Sequence, residues 1–337
     1  MAVLRVCGFD TLPAAPYPFA AGVGGSIGSA LRVGHGGSWA YNGEAIVLGA
    51  AEEDDFIVLG SDIQPNVSTR GWAFRGDDGA VTHLSVVYDS TLSRWQVYRG
   101  TIAGTLLGSS PANSHVGGST VKYLEVRFRI ADAAAGFVGL WLDNVQVLDL
   151  TGIDTRNGGV DALIDNIVPA TVALLNIDNL IVINEQAGNG AVDRVGSIFV
   201  PAKRPNGNGA TTTWDGSDGN QIDNYLLVDD PASNNDGDTT FVETSVAELE
   251  QYLIADISET PVTIAAVDAI LIARDSLAGG NSARPGMRVN GTNYPGATAV
   301  LTGSYAAYGK VWGVSPDTGV AWTRAEYNAS ELINESL

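Results

Sequence analysis

The densest set of hard oxygen ligands in the sequence is one short run, Asp229, Asp230, Asn234, Asn235, Asp236 and Asp238. Calcium takes roughly six to eight such oxygens, so Asp229, Asp230, Asp236 and Asp238 are the candidate calcium ligands. The spacing is not that of a helix–loop–helix calcium site. Gly237 follows an Asn-x-Asp start, but no bidentate glutamate arrives where that loop needs one. The competing reading is an Asx-rich turn whose side chains bond their own backbone. A second acidic group, Glu52-Glu53-Asp54-Asp55, raises glycoside hydrolysis, which needs two carboxylates held across the scissile bond. The alternating acidic strand of sandwich glucanases is absent, so this group is expected to be a solvated turn. Nucleophilic catalysis with a histidine base has only His35, His83 and His115 to draw on, and none sits in a serine or cysteine motif. The glycine-rich stretch Gly22-Val23-Gly24-Gly25-Ser26-Ile27-Gly28 lacks the preceding strand and the spacing of a dinucleotide loop. No catalytic residue and no cofactor other than calcium is expected.

The elements that would carry such groups are strands. In 124–130, Leu124, Val126, Phe128 and Ile130 alternate with Glu125, Arg127 and Arg129, which predicts one face on a core and one in water. Asp143-Asn144 between apolar runs predicts a two-residue β-hairpin turn, since both residues tolerate positive φ. Further strands are predicted at 3–9, 44–48, 56–59, 83–88, 95–99 and 176–183, with Trp95 and Trp141 in the core. A Pro- and Gly-rich connection is predicted over 12–37. The polar, Gly-rich stretch 185–190 marks a boundary. Beyond it strands are predicted at 195–200, 222–228, 240–243, 261–273 and 286–289. Segment 245–255 suits either helix or strand. Thr323-Arg324-Ala325-Glu326 forms a capping box and predicts a helix over 323–334. The expected architecture is all-β: two jelly-roll-like β-sandwich domains, 1–187 and 188–337, with a short C-terminal helix.

Composition limits the partners. The 337 residues carry 18 Lys and Arg against 38 Asp and Glu, a formal charge of −20. Such a surface gains nothing from neutralising phosphates, which excludes nucleic acid as a ligand of a basic face. The single Cys7 excludes an intramolecular disulfide. No window resembles a membrane span, and the first residues lack the apolar core of a secretory signal. A soluble protein made in a cytoplasm is expected, with no membrane insertion.

The stretch from Val121 through Gly139-Leu140-Trp141-Leu142-Asp143-Asn144-Val145 to Asp149-Leu150-Thr151-Gly152 resembles the late strands of a concanavalin A-like, or laminin-G-like, sandwich. Ile177-Asp178-Asn179-Leu180-Ile181-Val182 resembles the closing strand of that domain in tailed-phage structural proteins, and Cys7-Gly8-Phe9-Asp10 resembles their opening. Pro316-Asp317-Thr318-Gly319-Val320-Ala321-Trp322-Thr323-Arg324-Ala325-Glu326-Tyr327-Asn328-Ala329 is similar to an ending that recurs in phage virion proteins, and 214–243 to the segment that accompanies it. The resemblance implies a non-enzymatic bacteriophage virion structural protein located in the virion and made in the host bacterial cytoplasm. Its partners would be other copies of itself as a homo-oligomer, other virion proteins and, in one reading, a host surface glycan. A component of the tail, baseplate or fibre apparatus leads. The alternatives are a capsid decoration protein and a carbohydrate-binding adhesin or glycan-degrading enzyme.

Overall fold

A computed structural model describes residues 2–7, 26–28, 38–41, 46–50, 52–65, 69–117, 120–133, 135–171, 175–185, 194–230, 237–258, 263–277 and 279–337, with backbone alone at 2–7, 26–28, 38–41 and 175. Among these the first unit ends at Val200 and the second begins at Pro201. The boundary expected between 187 and 188 falls in 186–193, outside the described residues, as does most of the Pro- and Gly-rich connection.

The first unit contains β1 (Ala2–Cys7), β2 (Ser26–Gly28), β3 (Ser38–Tyr41), β4 (Ile46–Val47), β5 (Phe56–Gln64), β6 (Gly71–Gly76) and β7 (Val81–Asp89). It continues through β8 (Arg94–Arg99), β9 (Thr105–Ser109), β10 (Lys122–Arg129), β11 (Gly136–Leu142), β12 (Val145–Ile153), β13 (Asn166–Pro169) and β14 (Leu175–Asn184). They form two antiparallel sheets. One has eight strands in the order β12-β11-β10-β5-β14-β3-β2, with β1 also on β14; the other has six in the order β4-β13-β6-β7-β8-β9. Phe74 of β6 meets Phe128 of β10 with ring centroids 4.4 Å apart, which identifies the inner faces of the two sheets. Trp72, Leu84, Val86, Trp95 and Val97 from one sheet and Leu59, Leu124, Val126 and Leu140 from the other complete the buried core. The predicted hairpin is present: Asp143 and Asn144 sit at φ 48° and 70° between β11 and β12.

The outer face of β10 departs from expectation. Glu125 is only 1% exposed, although the alternation placed it in water. Residues 194–200, predicted as a strand, instead run as a strap over this face and bond to side chains.

The second unit is also antiparallel β. Its strands are β15 (Pro205–Asn208), β16 (Asp215–Gly216), β17 (Val242–Glu243), β18 (Leu249–Ile254), β19 (Val267–Ala273), β20 (Ser282–Val289), β21 (Thr292–Pro295), β22 (Ala299–Val300), β23 (Ala306–Trp312) and β24 (Glu331–Ser336). The main sheet has the order β15-β18-β24-β20-β21, with β22 on β20, and β19 pairs with β23. Val267, Ala269, Met287, Val289, Trp322 and Tyr327 pack into its core. The segment predicted as a strand near 222–228 is a single 3-10 turn, Asn224–Leu227. Residues 249–254 resolve to a strand. The C-terminal helix is correct in place but short. It covers only Arg324–Asn328, and the chain then becomes β24, paired on both sides by β18 and β20. Two ladders of hydrogen bonds outweigh the helical pattern there.

Candidate functional site

With Phe74 directed inward, its neighbours Ala73 and Arg75 face out from the six-stranded sheet, because side chains alternate along a strand. The register then defines a row across that outer face: Val168 opposite Ala73, Ala73 opposite Ser85, Ser85 opposite Tyr98, and Tyr98 opposite Leu106. Val87 opposite Gln96 lies in the next row, and Asn166 opposite Arg75 opposite Thr82 in the row on the other side. The centre carries small side chains, Ala73 and Ser85, both buried, while the longer Arg75, Gln96, Tyr98 and Leu106 keep solvent contact at the margins. We call this row of small residues flanked by larger ones the trough.

Its polar groups are fixed by neighbours. The Tyr98 hydroxyl donates to Gln96 Oε1 at 3.0 Å, and Ser85 Oγ donates to the Gly100 carbonyl at 2.8 Å. Asp165 beside the trough is already engaged, accepting from Asn166 Nδ2 at 2.6 Å and from the Gly79 N–H at 3.1 Å. Arg75 has no carboxylate partner among the described residues, and its Nε has no acceptor. Arg70 Nε likewise has no acceptor, whereas Arg94, Arg99, Arg129, Arg156, Arg194 and Arg274 each meet a carboxylate. Arg75 lies in one row, Ser85 and Tyr98 in the next and Gln96 in the one beyond, so a guanidinium, a phenol and an amide are spread over this face, and a guanidinium suits a carboxylate.

The outer face of the eight-stranded sheet holds more aromatic and cationic groups, but the strap covers part of it. Glu125 accepts from Arg194 Nη2 at 2.9 Å and from the Val195 N–H at 2.9 Å. Arg194 also lies 4.2 Å from the centre of the Trp141 ring. The Ser197 N–H donates to Asn144 Oδ1 and the Val200 N–H to Asn179 Oδ1, at 2.9 and 2.8 Å. Farther along, the Arg127 guanidinium lies over Phe56 and Phe137 at 5.6 and 5.0 Å.

The residues singled out by sequence fall in other places. Asp238 accepts from Tyr305 Oη at 2.8 Å and pairs with Arg274 at 2.9 Å. Asp229 and Asp230 are solvent-accessible, and Asp236 lies outside the described residues. No carboxylates of this run converge among the described residues. The group that does converge is Asp54, Asp55 and Glu185, with one oxygen of each within 4.8 Å of the others. Arg129 pairs with both Asp55 and Glu185 and supplies the positive charge there. Burial pushes the Asp55 carboxyl above the usual range, against the pull of Arg129. His115 is a buried structural residue: its Nδ1 accepts from Trp95 Nε1 at 3.1 Å. His35 and Gly22 to Gly25 lie outside the described residues. The trough residues themselves were missed. The signal was present in Arg94-Trp95-Gln96-Val97-Tyr98-Arg99, whose alternation sends Gln96 and Tyr98 to the face opposite the two apolar residues.

No family model and no curated protein matches the sequence. Solved structures do resemble it. A glucuronan lyase from the fungus Trichoderma reesei matches at 10% identity with a TM-score of 0.39, over 54% of this chain and 96% of its own. An alginate lyase matches at 14% identity and a TM-score of 0.37, over 54% of this chain and 99% of its own. Domain 4 of an extracellular arabinanase from Geobacillus stearothermophilus matches at 15% identity and a TM-score of 0.36, over 53% of this chain and 91% of its own. These are likenesses of fold, with no residue-by-residue correspondence. The expectation of a non-enzymatic virion structural protein is not borne out: the proteins named here are an alginate lyase, a glucuronan lyase and an arabinanase domain, and none of the three is a phage protein by name.

Proposed function

We propose that the first unit binds a polysaccharide containing acidic sugars, laid along the trough of the six-stranded sheet. Arg75 carries this reading. A guanidinium without an acidic partner among the described residues, in a chain with a net charge of −20, is suited to a ligand's carboxylate. Tyr98, tied to Gln96, offers a sugar ring its apolar face, and Gln96 offers its amide. The net negative charge does not forbid an acidic ligand. Charges beyond about 8 Å are largely screened at physiological salt, so the local guanidinium decides.

Calorimetric titration with oligosaccharides of polyglucuronate and alginate, against neutral arabino-oligosaccharides, tests the reading. Acidic chains should bind better. Arg75→Ala should remove that preference, and Tyr98→Ala should weaken both classes by about tenfold, the value of roughly 1.4 kcal/mol. Binding untouched by both changes, or no binding to any of these glycans, would overturn it. The same mixtures followed for new unsaturated or reducing ends determine whether binding leads to cleavage.

A further inference from the structure

Residues 154–165 form a loop that adjoins the Thr82 end of the trough. Arg156 pairs with Asp132 at 3.0 Å and donates to the carbonyls of Gly159 and Val160. Asp77, in the turn between β6 and β7, accepts from the Val160 N–H at 2.8 Å and the Asp161 N–H at 3.4 Å. At the loop's middle the Asn157 side chain donates to the Thr82 carbonyl at 3.0 Å, and the Asn157 backbone N–H donates to Nδ1 of His83 at 3.3 Å. His83 is fully buried on β7. An accepting Nδ1 requires the neutral ring with its hydrogen on Nε2, and that nitrogen has no acceptor. The charged groups that face the ring are Asp77 from the turn, Asp161 and Asp165 from the loop and its end, and Arg156.

We propose that His83 is a proton-operated catch, whose neutral ring holds the 154–165 loop against the first unit and whose protonation releases it. A second proton would sit on Nδ1 and face the Asn157 N–H, opposing two donors where one hydrogen bond stood. It would also place a charge on a ring shielded from bulk solvent. Burial lowers the proton affinity of the ring below the usual imidazole value; Asp77, Asp161 and Asp165 pull the other way, and Arg156 adds to the lowering. The unfolded or released ring therefore takes the proton first. The stability held by this contact is present above the ordinary imidazole value near 6.5 and is lost as pH falls below it. The catch does not depend on the glycan reading, although a released loop would alter one end of the trough.

Backbone hydrogen exchange of the full chain, corrected for the intrinsic effect of pH, tests it at Asn157, Val160 and Asp161. Between about pH 7.5 and 5.5 the opening of these amides should rise, by up to about tenfold, because the released ring with its ordinary value near 6.5 takes the proton over that range. In His83→Gln, which cannot titrate, that rise should vanish. Should the variant not fold, nuclear magnetic resonance of the wild-type protein serves instead, and the His83 ring and the loop amides should titrate with one midpoint. An unchanged wild-type loop, an equal rise in His83→Gln, or separate midpoints would overturn the catch.

Discussion

A carboxylate removed from water persists only where donors replace the lost solvent, and Glu125 shows this at the scale of one residue. It takes the Arg194 guanidinium and the N–H groups of Val195 and Gly196. Breaking a buried ion pair by deleting one partner leaves the other uncompensated. Glu125→Ala should therefore destabilise the first unit by about 3 kcal/mol, the low end for such pairs because Arg194 keeps water contact. Denaturant unfolding measures it; a loss below about 1 kcal/mol, typical of a surface pair, would show that the strap merely rests on the sheet. The sequence marked Leu124, Val126 and Phe128 as core through their period of two. It could not mark Glu125 as buried, because periodicity reports a strand's own faces and not a strap far along the chain. Arg75 was hidden for a related reason: whether an arginine meets a carboxylate depends on residues far along the chain.

Between residues and the whole lies the element, where local signals succeed or fail according to their competition. The Asp143-Asn144 turn was legible because its positive φ values are set by the two residues themselves. The helix start at Thr323 was legible for the same reason, and the Thr323 hydroxyl accepts from the Glu326 N–H at 3.1 Å. The other half of the expected box is different. The Glu326 carboxylate accepts from Ser315 Oγ and so ties the helix to the preceding turn. The helix end was illegible because it depends on β18 and β20, which claim the following residues as a central strand. Thr323→Ala should cost about 1 kcal/mol through the lost cap, while Glu326→Ala, which removes a tie between two elements, should cost at least as much. A negligible cost for Thr323→Ala in thermal unfolding would show that β24 and the turn alone fix the short helix.

Over the whole molecule, each unit has its own core. The first is built from the facing sheets around Phe74 and Phe128, and the second from β19, β20 and the C-terminal residues around Trp322. Trp322 is 4% exposed, and its Nε1 donates to the Trp312 carbonyl at 3.1 Å. The stretch around Trp322 thus acts as a folding element. Asp317 of the same stretch accepts from Asn290 Nδ2 and Tyr294 Oη, at 2.7 and 2.8 Å, which fastens the turn to the β20–β21 hairpin. Trp322→Ala removes a large buried ring and its bond to the Trp312 carbonyl, for a loss of about 3–5 kcal/mol. Because the two cores share no residue, that loss belongs to the second unit. Calorimetry should show one transition moving to lower temperature, by roughly 4–8 °C per kcal/mol for a domain near 100 residues and less for a larger one, while the other keeps its midpoint. Titration with a glycan gives a cross-check, since a ligand raises only the transition of the unit that binds it. A single transition shifted as a whole would mean that the two cores unfold together. An unchanged thermogram would mean that the indole contributes little to the second unit's stability.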